Sequence, residues 1–550
     1  MNPGSIKTCG VWIILLAMIW SLGLGTRALT RPDEGRYAEI GREMAVSGDW
    51  VTPHLNGIPY YEKPPLQYWA TALSIDLLGP TPLAARLWTG LLGFLGILAS
   101  AFFARRLFGT EAGWRAPLLL IGTFYYTALG HINTLDMGVT VWMFLAVGCF
   151  LLAQQESSSR LWMTLAWGAA AAGFMSKGLM ALALPGATLV LYTLFTRDLS
   201  PWKRLHLFPG LLLFLLLTLP WFWLASRVHP EFLWFFFVHE QFDRYTTTLH
   251  QRVEPVWYFL PILLVGLWPW TLVALRATGN ALVRNHGRHF SPARFLAIYA
   301  LFVVVFFSLS GSKLPDYILP AFPALALLGA RQLSVRPGPF PLSPPLLLAL
   351  GGAFFGVTAL LLAFPALPES LGWSLGMDPD MVMGYQGFST WIAAAAAVSL
   401  VLGYLAHRQR ARPAHSLKTV AVGTLLVTQL LISGSNTLAD FQSGAALARR
   451  LAPRFAAASH LYSVNTYDQT LDFYLQRTVI PVAYQDEMAF GLSLEPQHAI
   501  PTLKEFRPLW AADLGALAIL PPPLYDVMKN QGFPMRILFR DAHRVIVART

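Results

Sequence analysis

The sequence predicts a polytopic α-helical membrane protein that carries a soluble α/β domain at its C-terminal end, and three observations lead to this prediction. Of the 550 residues, 55% are hydrophobic and only 13% are charged, which is too apolar for a soluble chain of this length. The apolar residues come in blocks of about 20, the length of helix that crosses a bilayer. The blocks end near residue 435, and short strands and helices follow. We therefore divide the chain into a membrane domain, residues 1–435, and a soluble domain, residues 436–550.

The apolar blocks predict about 13 membrane-spanning helices. The first block follows Lys7 and lacks a convincing cleavage site, so we interpret it as an uncleaved anchor. The predicted spans cover residues 9–27, 82–104, 116–130, 134–153, 161–176, 179–196, 207–225, 255–276, 292–310, 315–333, 343–365, 389–406 and 418–434.

The Lys and Arg residues set the predicted orientation. With the N-terminus in the cytoplasm, every inside loop is basic and poor in carboxylates, as the positive-inside rule requires. An odd number of spans then places the C-terminal domain outside. The inside loops account for the net charge of +11, because the sequence has no nucleic-acid-binding motif. Cys9 and Cys149 both lie in or beside apolar segments, so no disulfide framework is expected.

The outside loop over residues 30–69 is the first candidate site. Apolar residues recur at helical spacing from Tyr37 to Met44, which predicts an amphipathic helix over Arg36–Gly48 that lies flat on the membrane. Asp33 precedes this helix at a predicted N-cap position, where the helix dipole favours its ionised form.

Prolines fix the second half of this loop in an extended conformation. They are Pro53, Pro59, Pro64 and Pro65, and they gather Tyr60, Tyr61, Glu62 and Lys63 into one cluster. The alternative is an amphipathic connector whose charged side chains snorkel to water.

Other ionisable residues lie at the ends of predicted spans on the same side. They occur in residues 131–136, 227–254 and 311–317, and at Lys177. Ionisable groups at membrane depth are costly and usually face a cavity or a partner. Each could alone be an interfacial ion pair, but their gathering on one side favours a functional site.

One of these stretches suggests a metal. Residues 231–238 are too few to span a bilayer and predict an interfacial helix. His239 and Asp243 follow at i and i+4, a spacing that with Glu62 could hold Zn²⁺ or Mg²⁺. A hydrogen-bonded or solvated pair is the alternative, and the sequence requires no cofactor.

The soluble domain has the pattern of a small α/β fold without a nucleotide-binding or nucleophile motif. We expect it to cap the site or guide an acceptor. Helices are predicted over residues 438–455 and 470–476, and strands over 460–464, 479–484, 514–520, 536–539 and 544–548.

Two motifs of the first loop carry a resemblance to a known family. Arg31–Glu39 and Tyr60–Leu66 resemble the bacterial members of the protein O-mannosyltransferase-like family, integral-membrane glycosyltransferases of the GT-C class. Asn133–Asp136, Ser176–Gly178 and Ser312–Tyr317 extend the resemblance through the membrane domain. Within this family the chain most resembles the transferases that move 4-amino-4-deoxy-L-arabinose onto lipid A.

The resemblance implies an enzyme that acts on two lipids. It implies a sugar donor on undecaprenyl phosphate, transfer to a lipid A phosphate with inversion at the anomeric carbon, and a product that resists polymyxin and other cationic peptides. It also implies the bacterial inner membrane, with the site facing the periplasm. We expect a monomer.

The expected chemistry assigns roles to the clustered residues. Cations in a water-poor cavity would stabilise the phosphate leaving group, with Lys63 first and Arg244, Arg252, Lys177 and Lys313 in support. Arg36 would hold the loop by pairing with a carboxylate, and the substrate-binding set also includes Glu34 and Glu62. The aromatic faces and hydroxyls suited to a pyranose, or else to an interfacial aromatic belt, belong to Tyr37, Tyr60, Tyr61 and Tyr317.

Two aspartates are the candidate catalytic carboxylates, and their roles depend on the acceptor. A Ser or Thr hydroxyl needs an anionic base, for which Asp33 is the first candidate. A lipid A phosphate is already an anion, so Asp33 would instead position groups or balance charge, and Asp136 could hold the ammonium of an amino sugar. The competing functions are a protein O-mannosyltransferase, another polyprenyl-phosphate-sugar glycosyltransferase, and a lipid transporter, which the one-sided charges and absent repeats disfavour.

Overall fold

The computed structural model describes residues 3–155, 157–243, 254–283, 290–335, 338–366 and 381–549, with the backbone alone at 3–9, 11, 12 and 241–243. In these ranges, seven helices are long and apolar enough to cross a membrane. Phe259–Gly266 and Thr271–Leu282, bent by 110° at their junction, together make an eighth. This confirms a polytopic helical membrane protein, while the number of 13 spans stays a prediction.

The helices of the membrane domain are α1 (Pro3–Ser21), α2 (Asp33–Ser47), α3 (Leu66–Leu78), α4 (Pro82–Phe108), α5 (Thr110–Ile121), α6 (Phe124–Leu129), α7 (Leu135–Gln155), α8 (Ser159–Lys177), α9 (Met180–Thr196), α10 (Ser200–Lys203), α11 (Leu207–Val228), α12 (Phe232–Trp234), α13 (Phe259–Gly266), α14 (Thr271–Leu282), α15 (Pro292–Leu309), α16 (Ala321–Val335), α17 (Ser343–Ala363), α18 (Val382–Arg408) and α19 (Pro413–Gly434). A π-helix, Phe235–Asp243, continues α12, and a 3₁₀ turn, Pro315–Ile318, precedes α16.

Most predicted spans correspond to helices, with corrections at breaks in the chain. The span predicted over 116–130 is two helices, α5 and α6, because the chain turns at Gly122 and Thr123. The span predicted from residue 315 starts only at Ala321, after the 3₁₀ turn. The interfacial helix predicted over 231–238 is helical, but it widens into the π-helix from Phe235.

The charged face of the first-loop helix is not exposed to water. The helix spans Asp33–Ser47 and ends at Gly48, whose φ of 70° suits a residue without a side chain. Its predicted polar face is buried, since Glu39 and Arg42 are as inaccessible as the apolar face. Asp33 is the first helical residue rather than the N-cap, which is Pro32. The loop helix is therefore a packed interdomain element.

The soluble domain is a five-stranded mixed sheet with helices. Its strands are β3 (Leu461–Val464), β4 (Ile480–Val482), β5 (Leu517–Leu520), β6 (Met535–Arg540) and β7 (Val545–Arg549), in the order β4-β3-β5-β7-β6. A short hairpin of the first loop supplies β1 (His54–Leu55) and β2 (Ile58–Pro59). The domain's helices are α20 (Ala439–Gln442), α21 (Ala445–Ala457), α22 (Leu471–Leu475), α23 (Ala489–Leu494), α24 (Leu503–Ala512) and α25 (Pro522–Asn530).

The structure confirms the predicted strands of this domain and corrects its helices. β3 pairs in parallel with β4 and β5, and β7 pairs antiparallel with β5 and β6. The helix predicted over 438–455 is broken at Ser443 and Gly444, which turn the chain between α20 and α21. The sequence patterns missed α23, α24 and α25.

Direct contacts dock the soluble domain on the first loop. The Asn56 side chain exchanges two hydrogen bonds with the backbone of Val479, at 2.8 and 2.7 Å. Gly491 packs so closely on Pro59 that a Cβ atom there would lie 2.1 Å from the Pro59 carbonyl oxygen. The two domains therefore share one interface, and the candidate site lies along it.

Candidate active site

A buried ion pair anchors the first loop to the membrane helices. Both oxygens of Glu34 accept hydrogen bonds from the Arg86 guanidinium of α4, at 2.6 and 2.7 Å. Thr30 and the backbone N–H of Asn133 also donate to Glu34. Burial alone would raise the pKa of Glu34, but Arg86 outweighs it and holds the pKa at about 2. The Glu34 carboxylate therefore holds the loop through these contacts, and its predicted role in substrate binding stays a prediction.

Lys63 is buried at the junction of the first loop and the π-helix. Its ammonium donates to the Glu240 carboxylate at 2.6 Å and to the Glu62 carbonyl at 2.8 Å. The Glu62 carboxylate lies 4.0 Å away. Pro64 and Pro65, which directly follow, fix the backbone that presents this ammonium. The structure thus holds Lys63 in one place, as the prolines predicted. The carboxylate that pairs with it, Glu240, was not among the predicted site residues.

Arg36 links the two domains through carboxylates. Its guanidinium lies 3.0 Å from Glu487 of the soluble domain and 3.5 Å from Asp33. Burial raises the pKa of Glu487, and Arg36 opposes the increase. The expected pairing of Arg36 with a carboxylate is confirmed. Asp33, whose side chain is 35% exposed, stands at the open edge of this arrangement.

A cavity of about 310 Å³ lies between these charged groups. Phe235 of the π-helix stacks on Phe490 of the soluble domain with ring centroids 3.8 Å apart, and this pair closes one wall. Charged and polar groups from both domains face the remaining space, which suits a polar ligand of sugar size. The lining residues are Arg36, Glu62, Trp234, Phe235, His239, Glu240, Asp486, Glu487, Ala489 and Phe490.

Tyrosines lie beside this cavity. Tyr37 packs on Tyr68 with ring centroids 6.1 Å apart. The buried hydroxyls of Tyr60 and Tyr68 have no hydrogen-bond partner in the described part of the chain. Burial raises the pKa of both phenols well above the usual range, and Arg36 and Glu62 act on them electrostatically. Both hydroxyls therefore stay protonated next to the charged cluster, and an unpaired buried hydroxyl calls for a ligand or water.

Tyr61 points elsewhere. Its ring packs on Phe232 at 4.6 Å, and its hydroxyl lies 2.9 Å from Nδ1 of His229 and 3.3 Å from Thr52. The Tyr61 ring also meets the edge of Phe490, with ring centroids 6.4 Å apart. These contacts place the Tyr61 side chain in the apolar core, and its predicted role in substrate binding stays a prediction.

A second charged cluster joins the ends of three membrane elements. Lys177 at the end of α8 forms an ion pair with Asp136 at the start of α7, and its ammonium lies 4.9 Å from the ring centre of Tyr317. Asp316 shares a hydrogen bond with Asp136. Burial raises the pKa of Asp316 well above its usual range, and Asp136 raises it further. Two carboxylates that share a hydrogen bond hold one proton between them.

The two charged clusters are neighbours, since Asp33 of the first also raises the pKa of Asp316 in the second electrostatically.

Lys313 is part of neither cluster. Its buried ammonium donates to the backbone carbonyls of Glu254 and Ser310, at 2.8 and 2.7 Å. The Lys313 side chain therefore links two backbone segments, and its predicted role in substrate binding stays a prediction.

The structure leaves other predictions open. Arg244 and Arg252 lie outside the described residues, and so does the side chain of Asp243. Glu62 and His239, the other two predicted metal ligands, both line the cavity. Among the described residues, no group of three His, Cys, Asp or Glu side chains could hold a metal ion.

Sequence reasoning missed four residues of the site: Glu240, Glu487, Tyr68 and Asp316. Asp316 and Glu240 directly precede or follow the predicted site residues Tyr317 and His239, so the sequence offered a signal for both. Tyr68 lies at helical spacing on α3, where an aromatic residue predicts core packing. Glu487 is a surface-type residue of a different domain, and no local pattern could have connected it to Arg36.

Comparisons with known proteins agree with this architecture. Two family models match, Aminoarabinose transferase C-terminal domain over residues 447–549 and Dolichyl-phosphate-mannose-protein mannosyltransferase over residues 62–223. An undecaprenyl phosphate-alpha-4-amino-4-deoxy-L-arabinose arabinosyl transferase from Pectobacterium carotovorum is 33% identical over 456 residues, which are 79% of this chain and 77% of that one. A protein of the same name from Edwardsiella ictaluri is 36% identical over 329 residues, 58% of each chain.

A solved structure matches along the whole length. The crystal structure of ArnT from Cupriavidus metallidurans bound to undecaprenyl phosphate is 35% identical to this chain. It covers 100% of this chain and 99% of its own, with a TM-score of 0.89. The apo structure of the same protein matches with a TM-score of 0.88 at 34% identity.

Proposed function

Because this chain belongs to the family of undecaprenyl phosphate-α-4-amino-4-deoxy-L-arabinose arabinosyl transferases, we propose that it moves 4-amino-4-deoxy-L-arabinose from undecaprenyl phosphate to a phosphate of lipid A. The enzyme is a membrane glycosyltransferase that uses an undecaprenyl-phosphate sugar donor. The observation that carries the proposed site is the polar cavity at the domain interface, with Lys63 and Arg36 buried beside it.

The leaving group explains the buried cations. When the bond from the anomeric carbon to the donor phosphate breaks, a phosphodiester with one charge becomes a phosphomonoester with up to two. A cation fixed in a water-poor site stabilises that added charge without reorganising. Lys63 is held by Glu240 and the Glu62 carbonyl, so its ammonium is already in position when the donor arrives. We assign it the stabilisation of the leaving phosphate.

The acceptor determines what the carboxylates do. A lipid A phosphomonoester attacks as an anion and becomes a diester, while the donor phosphate gains the charge that the acceptor loses. The negative charge that the acceptor phosphate loses equals the charge that the donor phosphate gains, and no proton has to be removed from the acceptor. No general base is therefore required. Asp33, paired with Arg36 at the open edge, then orients Arg36 and the incoming groups. In the cluster of Asp136, Asp316 and Lys177, the shared proton and the ammonium balance the two carboxylates, so the cluster offers carboxylate oxygens that can accept hydrogen bonds from the sugar's ammonium.

The tyrosines provide a surface for the sugar. Tyr60 and Tyr68 carry buried hydroxyls without described partners, and both are protonated donors for a pyranose oxygen or a phosphate. Tyr37 and Tyr317 add flat faces at the two charged clusters.

The proposed orientation places this site on the periplasmic side of the bacterial inner membrane. Two lipids can reach it from the side, since their headgroups occupy the same surface layer. Basic loops gather at the opposite ends of the helices, as the positive-inside rule requires for the cytoplasmic face. The product would carry an added ammonium, which weakens the binding of polymyxin and other cationic peptides.

The mass of lipid A tests the proposal. The chain is expressed in a host that lacks its own aminoarabinose transferase but makes the donor. We expect a pentosamine increment on lipid A with the wild type, loss of the increment with Lys63→Ala, and an unchanged increment with Lys504→Ala, an exposed control in the soluble domain. No increment from well-folded wild type would contradict the lipid A acceptor, and an increment that survives Lys63→Ala would contradict the site.

A further inference from the structure

A second cavity lies at the opposite end of the membrane bundle from the soluble domain. It also encloses about 310 Å³, between the ends of α5, α14, α16, α17 and α19. The helix α19 begins there, at Pro413, and its other end leads into the soluble domain. The cavity is thus separated from the candidate active site by the length of this helix. In the orientation proposed above, it faces the cytoplasmic leaflet.

Two arginines line this cavity, and the charge of one of them is balanced by no carboxylate among the described residues. Arg115 lies in its wall, where its guanidinium donates to the Leu333 carbonyl at 2.9 Å and pairs with Glu111 at 2.8 Å. The Arg276 guanidinium also lines the cavity, and no residue in the described ranges forms an ion pair or hydrogen bond with it. Gln332 adds an amide between them. An arginine at the membrane surface that pairs with none of the described residues is suited to bind a phosphate.

The rest of the cavity is mainly apolar, and it opens at the outer surface of the helix bundle. Its walls include Val273, Leu333, Phe340 and Leu417, and Leu272 on the outer side is 42% exposed. Because α14 bears both Leu272 and Arg276, the exposed face of that helix combines an apolar strip with a cation. A soluble anion would use only the cation, whereas an acyl-linked phosphate would use both.

We propose that this cavity binds the headgroup of an anionic phospholipid, with Arg276 and Arg115 on the phosphate and the glycerol and first acyl carbons against the apolar wall. Basic pockets between transmembrane helices on the cytoplasmic side are suited to such headgroups. One bound lipid would contact five helices from separate parts of the chain, so it would hold together the end of the bundle that the soluble domain does not reach.

Lipid binding to the purified full chain tests this inference. The probe is phosphatidylglycerol, titrated in detergent and followed by native mass spectrometry. Phosphatidylethanolamine and glycerol 3-phosphate serve as the neutral-lipid and headgroup-only comparisons. Arg276→Gln is the main variant because it breaks no described contact. Arg160→Gln is the matched control, since Arg160 is an exposed arginine at the same end of the bundle but outside the cavity.

We expect the first phosphatidylglycerol to bind about ten-fold more weakly to Arg276→Gln, the effect of one lost charge-assisted pair, and unchanged to the control. Phosphatidylglycerol should also raise the unfolding temperature of the wild type more than that of Arg276→Gln. Equal binding by both variants and the wild type, or equal losses in both variants, would overturn the site. Binding of glycerol 3-phosphate as tightly as the lipid would overturn the lipid and leave a free phosphate as the ligand.

Discussion

A buried carboxylate in the interdomain interface should make the stability of the protein fall as pH rises. Glu43 of α2 accepts a hydrogen bond from the Gly57 N–H at 2.8 Å and shares a side-chain hydrogen bond with Glu39. Burial and, to a smaller extent, the neighbouring Glu39 together raise the pKa of Glu43 to about 8. One cation, Arg42, lies among these groups and is already bonded to both oxygens of Glu39.

The soluble domain adds a third acid to this cluster. Asp472 of α22 accepts a hydrogen bond from Tyr467 at 2.9 Å, and its other oxygen has no described partner. Burial raises the pKa of Asp472 well above its usual range, with Glu39 and Glu43 adding to the effect. Three buried carboxylates therefore face one arginine, and protons rather than cations must balance the remaining charge.

The sign and size of the effect follow from the two pKa values of Glu43. Between the unfolded value of 4.5 and the folded value of about 8, the folded state holds a proton that the unfolded state releases. Stability is then full below about pH 4.5 and falls by about 1.4 kcal/mol per pH unit. The loss approaches about 5 kcal/mol by pH 8 for this group alone.

The substitution Glu43→Gln isolates this effect. A glutamine keeps a carbonyl for Gly57 and can donate to Glu39, but it carries no proton to lose. We expect the unfolding temperature of the purified wild type, followed by tryptophan fluorescence from pH 5 to pH 9, to fall more steeply than that of Glu43→Gln. Glu505→Gln, an exposed control, should follow the wild type. Equal slopes for wild type and Glu43→Gln would refute the reasoning.

Three further predictions follow from single contacts. Glu34→Gln removes the charge that balances Arg86, so it should cost about 3–5 kcal/mol and lower the unfolding temperature; an unchanged temperature would contradict the anchoring role. Tyr60→Phe and Tyr68→Phe remove hydroxyls without described partners, so the unfolding temperature should hold while the KM for the donor rises about five- to ten-fold; unchanged kinetics would exclude them from the site. Gly491→Ala drives a Cβ into the Pro59 carbonyl, so limited proteolysis should release the soluble domain faster than in Gly279→Ala, where a Cβ meets open space.

Local patterns predicted much of this molecule, because membrane spans and strands are specified by runs of neighbouring residues. Apolar length identified the helices, and a loss of that pattern identified the domain boundary. Prolines correctly indicated a fixed loop at Lys63, and the one-sided charges led to two neighbouring clusters. Each of these signals lies in neighbouring residues, so it can be recognised in a single sequence without knowledge of the fold.

The parts that failed depend on contacts between distant segments. Amphipathic spacing placed the charged face of α2 in water, yet Glu39 and Arg42 are buried because the soluble domain covers them. The contacts of Glu34 with Arg86 and of Lys313 with two backbone carbonyls likewise join distant segments, so no local pattern predicted them. Charge alone cannot separate a structural ion pair from a binding group, since the partner is fixed only by the fold.

Transfer from a labelled donor by the purified enzyme is the most direct test of the central claim. Undecaprenyl phosphate carrying radiolabelled 4-amino-4-deoxy-L-arabinose is mixed with wild type or Lys63→Met, and with lipid A or a Ser- and Thr-containing peptide as acceptor. The account predicts label on lipid A alone, release of undecaprenyl phosphate in equal amount, and a loss of kcat of at least about 100-fold in Lys63→Met. Label on the peptide, or full activity in Lys63→Met at saturating donor, would contradict it.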